Sequence, residues 1–207
     1  MIFRLKLTLA GIEPGIWRRI HVPGGMTLRE LHEVIQVAMG WESEHLHSFT
    51  IDGETYGRPD AFTRTKNDAG VAVEVVVEKG RRFVYTYDFG DSWQHEIVVE
   101  DLVEDDGGQL PACTGGKRAC PPEDCGGVWG YEKVLAAVKD PNRPDHAERL
   151  EWLGDGFDPE AFDVEQVNRQ LARLGKGLRD KLRLRALKDA ARKRSGRGRA
   201  VVRRGWR

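Results

Sequence analysis

No apolar run in the sequence approaches the roughly 18 residues that span a bilayer, so a membrane helix is not expected. The N-terminus, MIFRLKLTL, places Arg4 and Lys6 where a secretion signal needs an unbroken apolar core, and a cytoplasmic location is expected. Only three cysteines occur in 207 residues. An odd number closes no disulfide framework and suits a reducing compartment. No internal repeat is visible. Net charge is also missing, since 33 Lys+Arg balance 33 Asp+Glu. That balance conceals a division. Residues 175–207 hold fourteen Lys/Arg against Asp180 and Asp189, a net charge of +12, and residues 1–174 carry the compensating −12. An acidic body with a basic tail points to a polyanionic partner, or to tail-to-body contact within one molecule or by self-association.

What is present reads as an α+β protein with a mixed or antiparallel sheet. FRLKLTL alternates, with Phe3, Leu5, Leu7 and Leu9 on one face, and IWRRIHV follows the turn GIEPG as a second strand. Thr27 and Glu30 have capping-box spacing, Met26 and Leu31 form a hydrophobic staple, and Leu28, Leu31, Ile35 and Ala38 repeat helically up to Gly40. HLHSFTI completes a β-β-α-β unit of β-grasp-like order. Val71, Val73, Val75 and Val77 alternate as a strand, RRFVYTYDF returns after Lys79-Gly80, and WQHEIVVEDLVED continues the sheet. Residues 111–127 read as loop. Helical patterns follow at YEKVLAAVK, at HAERLEWL and after Asp163, and Gly175 and Gly177 interrupt the last of these. The expected division is a domain over 1–174 and a basic tail over 175–207, partly helical or disordered.

One stretch, YTYDFGDSWQHEI over 85–97, gathers two aspartates, a histidine and four aromatics around Gly90. As a hairpin it needs no further function: the aromatics face inward, the aspartates hold the turn, and His95 is a neutral core residue. As a site, Asp88, Asp91 and His95 offer oxygen and imidazole ligands for a divalent metal or a proton transfer. Strand parity opposes this, because Asp88 points away from His95 unless a bulge intervenes. The DFG triplet is no kinase signal without a catalytic HRD loop, a phosphate-binding glycine loop or a VAIK lysine. His45 and His47 form a second pair that shares a face with Phe49 and Ile51, which favours packed or partly exposed histidines over ligands.

Cys113, Cys120 and Cys125 lie in ACTGGKRACPPEDCGG. A structural zinc would need a fourth ligand, with His95 and Asp124 the nearby options; the alternative is three reduced thiols in a turn-rich loop. No other cofactor is expected. The tail cations Arg183, Arg185, Lys188, Arg192, Lys193, Arg194, Arg197, Arg199, Arg203 and Arg204 suit DNA or RNA phosphates, bound by counterion release without sequence choice, and no membrane partner is expected.

Four motifs in order, PGIWRRIHVPGGMTLRELHEVIQVAMGW, HLHSF, YTYDFGDSWQHEI and RACPPEDCGGVWGY, resemble the plasmid pRiA ORF-three-like family, also labelled insertion-element passenger TnpR-like proteins. The resemblance spans roughly residues 1–175 and implies an α+β domain associated with mobile elements; it implies no reaction. Recombinase chemistry does not follow from the label. The serines are Ser43, Ser48, Ser92 and Ser195, none in the arginine-rich N-terminal setting of a serine recombinase, and the last tyrosine is Tyr131. Two functions remain: a non-catalytic, nucleic-acid-associated binding module, or a metal-dependent hydrolase or nuclease using Asp88, Asp91 and His95 with Glu123 and Asp124.

Overall fold

Alternation in the first strands builds the sheet on which everything else rests. The computed structural model describes residues 1–59, 64–154 and 156–201, with backbone alone at 189 and from 191 onward. Strands β1 (Ile2–Leu9) and β2 (Trp17–Pro23) form an antiparallel pair, and Phe3, Leu5, Leu7, Leu9, Ile20 and Val22 turn inward to complete burial. Each such side chain contributes about 1.5–3 kcal/mol relative to exposure. Helix α1 (Leu28–Met39) begins at the full capping box of Thr27 and Glu30 and ends at Gly40, whose φ of 98° only glycine adopts readily. Strands β3 (His47–Ile51), β4 (Glu54–Gly57) and β5 (Lys66–Asn67) follow, then β6 (Arg82–Tyr87), β7 (Trp93–Val103) and β8 (Ala112–Lys117). The eight strands are ordered β5-β4-β3-β6-β7-β1-β2-β8, and only the β4–β5 pairing is parallel. The strand-strand-helix-strand order of the N-terminal unit is present, with β6 and β7 inserted between β1 and β3.

Three local expectations give way to tertiary demands. The valines from Val71 to Val77 form no strand: residues 68–70 make a 3-10 turn and Val73–Val76 a single helical turn, α2. The backbone there is claimed by residues 24–28, through Leu28 N–H to Val71 C=O, Val73 N–H to Met26 C=O and Glu74 N–H to Gly24 C=O. The segment thus closes the entry to α1 and leaves Val75 74% exposed. The loop expected over 111–127 contains β8, which extends the sheet beyond β2. Its outer edge is covered by Asn168, whose amide accepts from Cys113 N–H at 2.7 Å and donates to Cys113 C=O at 2.8 Å, standing in for a ninth strand.

That asparagine belongs to the longest helix. After α3 (Gly127–Lys139) and α4 (His146–Leu153), α5 runs unbroken from Val164 to Val201. Gly175 does not interrupt it; a Cβ at this position would lie 2.7 Å from the carbonyl oxygen of Leu110, so glycine is where the helix crosses the chain before β8. Beyond the crossing, Leu178 is buried, and Arg185 bonds to Glu30 and, at 3.3 Å, to the carbonyl of Gly25. The basic segment therefore starts as a docked helix. Among the described residues no helix is long and apolar enough to cross a membrane.

Candidate metal site at the loop pair

The β6–β7 hairpin turns on Asp88, with φ of 51°, and its Oδ1 accepts the Gly90 N–H at 2.8 Å. An aspartate adopts this left-handed backbone at lower cost than most residues because its side chain satisfies the turn. Asp91 reaches sideways, and its Oδ2 accepts the Gly126 N–H at 3.0 Å. This joins the hairpin to the cysteine loop, and the approach is so close that a Cβ on Gly127 would lie 2.6 Å from the Asp91 carbonyl oxygen. Three further bonds hold the cysteine loop: Trp41 Nε1 donates to the Pro121 carbonyl at 2.9 Å, and Glu123 Oε1 accepts from the Tyr87 hydroxyl at 2.9 Å and from the Glu42 N–H at 3.0 Å. The two polar loops adjoin.

They meet at His45. Its Nε2 lies 3.1 Å from Asp124 Oδ1 and 3.9 Å from Asp88 Oδ2, yet it makes no hydrogen bond of ordinary geometry. Ligand atoms of His45, Asp88 and Asp124 all fall within 4.8 Å of one another, and no other group of three metal-ligating side chains does so among the described residues. One imidazole and two carboxylates form a donor set suited to a hard or borderline divalent cation. Of the five residues expected for a metal site, Asp88 and Asp124 take part, while Asp91 and Glu123 fasten the loops.

His95, the fifth, is no ligand of this site. It follows the inward parity of Trp93 and Ile97 and is completely buried, with ring centres 5.4 Å from Tyr85 and 5.3 Å from Trp41. Neither ring nitrogen makes a hydrogen bond of ordinary geometry, although the backbone at Tyr85 and Trp93 softens the effect. Burial lowers its pKa to about 4, so the ring is neutral near pH 7. Cys113, Cys120 and Cys125 do not bring their three thiols within 4.8 Å of one another; Cys113 faces inward from β8, its thiol 3.4 Å from the Gly115 carbonyl oxygen. Burial pushes all three thiols up, Cys125 to about 12, which keeps them protonated and weakly nucleophilic.

A second polar cluster has no signature in the sequence. His47 is not a packed spectator: it stacks on His32 with ring centres 3.6 Å apart, and its Nε2 lies 2.8 Å from Asp68 Oδ2. Asp68 is fully buried and also accepts twice from Arg29, at 2.9 and 2.6 Å. Burial would raise the Asp68 carboxyl, but the hydrogen bonds from His47 and Arg29 outweigh it and the pKa is lowered. His32 in turn lies 2.7 Å from the Tyr85 hydroxyl and 3.0 Å from Ser43 Oγ. The protons in this chain are determined. Gln36 Oε1 accepts the Ser43 N–H, so its Nε2 donates to the Tyr85 hydroxyl. The hydroxyl proton of Tyr85 must then go to His32 Nδ1, leaving His32 Nε2–H to donate to Ser43. Ser43, despite its strained φ of 64°, therefore faces a donor rather than a base and is not an activated nucleophile.

The model of the family described as "Plasmid pRiA4b ORF-3-like protein" matches residues 1–166. The chain belongs to this family. A relative from Sinorhizobium fredii, "Uncharacterized protein y4hQ", is 39% identical over 173 residues, covering 81% of this chain and 89% of that protein. A crystal structure from Methanosarcina mazei Go1, titled as a protein of unknown function, MM3350, shares 40% identity with a TM-score of 0.75 and covers 79% of this chain and 96% of its own. The pRiA4b ORF-3-like match ends within the first turn of α5, so it takes in the loop pair and His45 and leaves out most of the basic helix.

Of the tail cations, Arg183 and Lys188 are exposed on α5, and Arg185 is engaged with Glu30. Arg192, Lys193, Arg194, Arg197 and Arg199 continue along the same helical backbone, and Arg203 and Arg204 lie outside the described residues.

Proposed function

We propose that this pRiA4b ORF-3-like protein is a non-catalytic binding module that holds DNA or RNA along α5. The observation that carries this reading is the continuity of that helix, which is seated by Leu171 and Leu178 and presents Lys176, Arg179, Arg183 and Lys188 to solvent before entering its arginine-rich last turns. A helical array of cations attracts phosphates by counterion release without reading bases. The association with mobile elements implied by the family resemblance makes DNA the first partner to test. Protonated thiols and a serine without a base support the absence of covalent catalysis.

Deleting residues 175–207 would be a poor test, because it also removes Leu178 from the core. Charge neutralisation keeps the helix. With Arg183, Lys188, Arg192, Lys193 and Arg194 changed to Gln, retention of a duplex of random sequence is expected to fall by orders of magnitude near 0.1 M salt. The slope of log affinity against log salt should flatten by about 0.9 for each phosphate that the variant no longer neutralises. Equal affinity and slope in the two proteins would end this reading.

A second reading, a metal-dependent hydrolase or nuclease, is favoured by the His45, Asp88 and Asp124 convergence. It expects one equivalent of Mn²⁺ to bind in calorimetric titration. Asp88→Asn keeps the turn, since asparagine tolerates the left-handed backbone, and should weaken the metal about tenfold or more. His95→Leu should leave metal binding unchanged. Identical isotherms for the native protein and D88N would remove the hydrolase reading.

A further inference from the structure

The strand β2 puts one charged residue on its core-facing side. Arg18 has the parity of Ile20 and Val22 and is 2% exposed. Its guanidinium donates from Nε to the Ala38 carbonyl at 2.8 Å and from Nη1 to the carbonyls of Trp17 and Lys117 at 2.8 and 3.0 Å. Its face stacks on Phe162 at 4.2 Å, an approach that Gly116 permits, because a Cβ there would lie 2.6 Å from the ring. No carboxylate lies within ion-pair distance of this cation among the described residues. A buried charge answered only by neutral carbonyls is costly, since dipoles replace hydration incompletely.

The arginine is not sealed in. It lines a cleft of about 650 Å³ between the end of α1, the cysteine loop and the segment leading into α5. Its Nη2 makes no hydrogen bond and is not among the fully enclosed unpartnered atoms, unlike the ring nitrogens of His95. The volume is that of a small-molecule site. Leu153, Phe157 and Phe162 supply apolar wall, and Gln166 and Gln170 supply amides. Two acids also border the cleft. Asp163 Oδ1 is committed to the Glu165 and Gln166 N–H groups at the start of α5, and Glu123 Oε1 is committed to Tyr87. They would repel a multiply charged phosphate ester far more than a single carboxylate.

We propose that this cleft binds a small organic carboxylate, its charged end on Arg18 Nη2 and its apolar body against Phe157 and Leu153. This site meets α5 only at its first turns, ahead of the exposed cations, and none of its lining residues belongs to the His45 cluster, so its outcome is independent of theirs. Carboxylate on guanidinium supplies the missing countercharge in a geometry that phosphate and carboxylate share, and the acidic rim selects the monoanion.

Benzoate is the probe, with benzamide as its uncharged counterpart of the same shape, each titrated into the full chain by heteronuclear NMR. Benzoate is expected to give saturable shifts at one site, with a dissociation constant at or below about 10 mM, and benzamide to bind at least about tenfold more weakly. Arg18→Met keeps the stem, removes the charge and should reduce benzoate to the benzamide level. If R18M does not fold, Ala161→Trp serves instead: Ala161 is an exposed residue on the cleft wall, and an indole there should block benzoate while Arg18 stays in place. Absence of saturable benzoate shifts, equal binding of benzamide, or undiminished binding by A161W or a folded R18M would each overturn the proposal.

Discussion

Lowering the pH from 7 to 5 is expected to destabilise this protein by about 4 kcal/mol, while most of its carboxylates are still ionised. The origin is a pair of buried histidines. His32 is held to a pKa of about 3 and His95 to about 4, both from an ordinary 6.5, and burial is the largest cause in each. For His32 the neighbouring His47 adds to the depression and Asp68 opposes it. Both rings are neutral in the folded chain and become charged once it unfolds at mildly acid pH. The unfolded state then binds more protons than the folded one, so stability falls as pH drops below 6.5 and levels off only below the folded pKa values. Groups with lowered carboxyl pKa, such as Asp68 and Glu100, lose their contribution only further down, below about pH 4. Chemical denaturation at pH 7, 6, 5 and 4 measures the curve. His95→Leu should remove about half of the loss between pH 7 and 5, because one of the two titrations disappears. An equal stability at pH 7 and pH 5 would show that these rings are hydrated or protonated in the folded state.

The contrast between His32 and His95 also shows what the sequence could and could not convey. Parity along WQHEIVV is a local property, and it placed His95 in the core correctly. The capping box at Thr27 and the alternation of Phe3 to Leu9 were likewise legible, because each depends on neighbours a few residues away. Whatever depends on distant backbone was not. The valine run looks like a strand until residues 24–28 claim its hydrogen bonds, and Gly175 looks like a break until the Leu110 carbonyl is laid against it. The candidate metal site follows the same division. Asp88 and Asp124 could be named from their turn-rich motifs, but His45 joins them through partners distant in sequence, its N–H meeting the Tyr87 hydroxyl at 3.4 Å and the neighbouring Leu46 carbonyl accepting the Asp88 N–H at 2.9 Å, and it lies outside β3, where strand parity says nothing about its direction. Asp68 was invisible for a simpler reason: its partners are 39 and 21 residues away, and nothing in KNDAG announces a buried carboxylate.

That carboxylate carries the second large effect. Asp68→Ala is expected to cost about 3 kcal/mol at pH 7, at the lower end for breaking a buried ion pair, because Arg29 is 38% exposed and can recover part of its hydration. The loss spreads. His47, with 11% side-chain exposure, loses its acceptor, and the ring stacked on His32 is no longer fixed in place. Asp68→Asn should cost less, since an amide oxygen can still accept from one donor, but its NH₂ would confront Arg29 or His47 with a second donor. The pH dependence separates electrostatics from packing. Because the folded pKa of Asp68 is lowered, its ionic contribution is full above the unfolded carboxylate range and is lost as pH falls through the lowered value. The stability difference between the native protein and D68A should therefore shrink below about pH 4. A difference that stays constant from pH 7 to pH 3 would assign the cost to the 3-10 turn that Asp68 begins, and would remove the buried ion pair from the forces holding this end of the sheet.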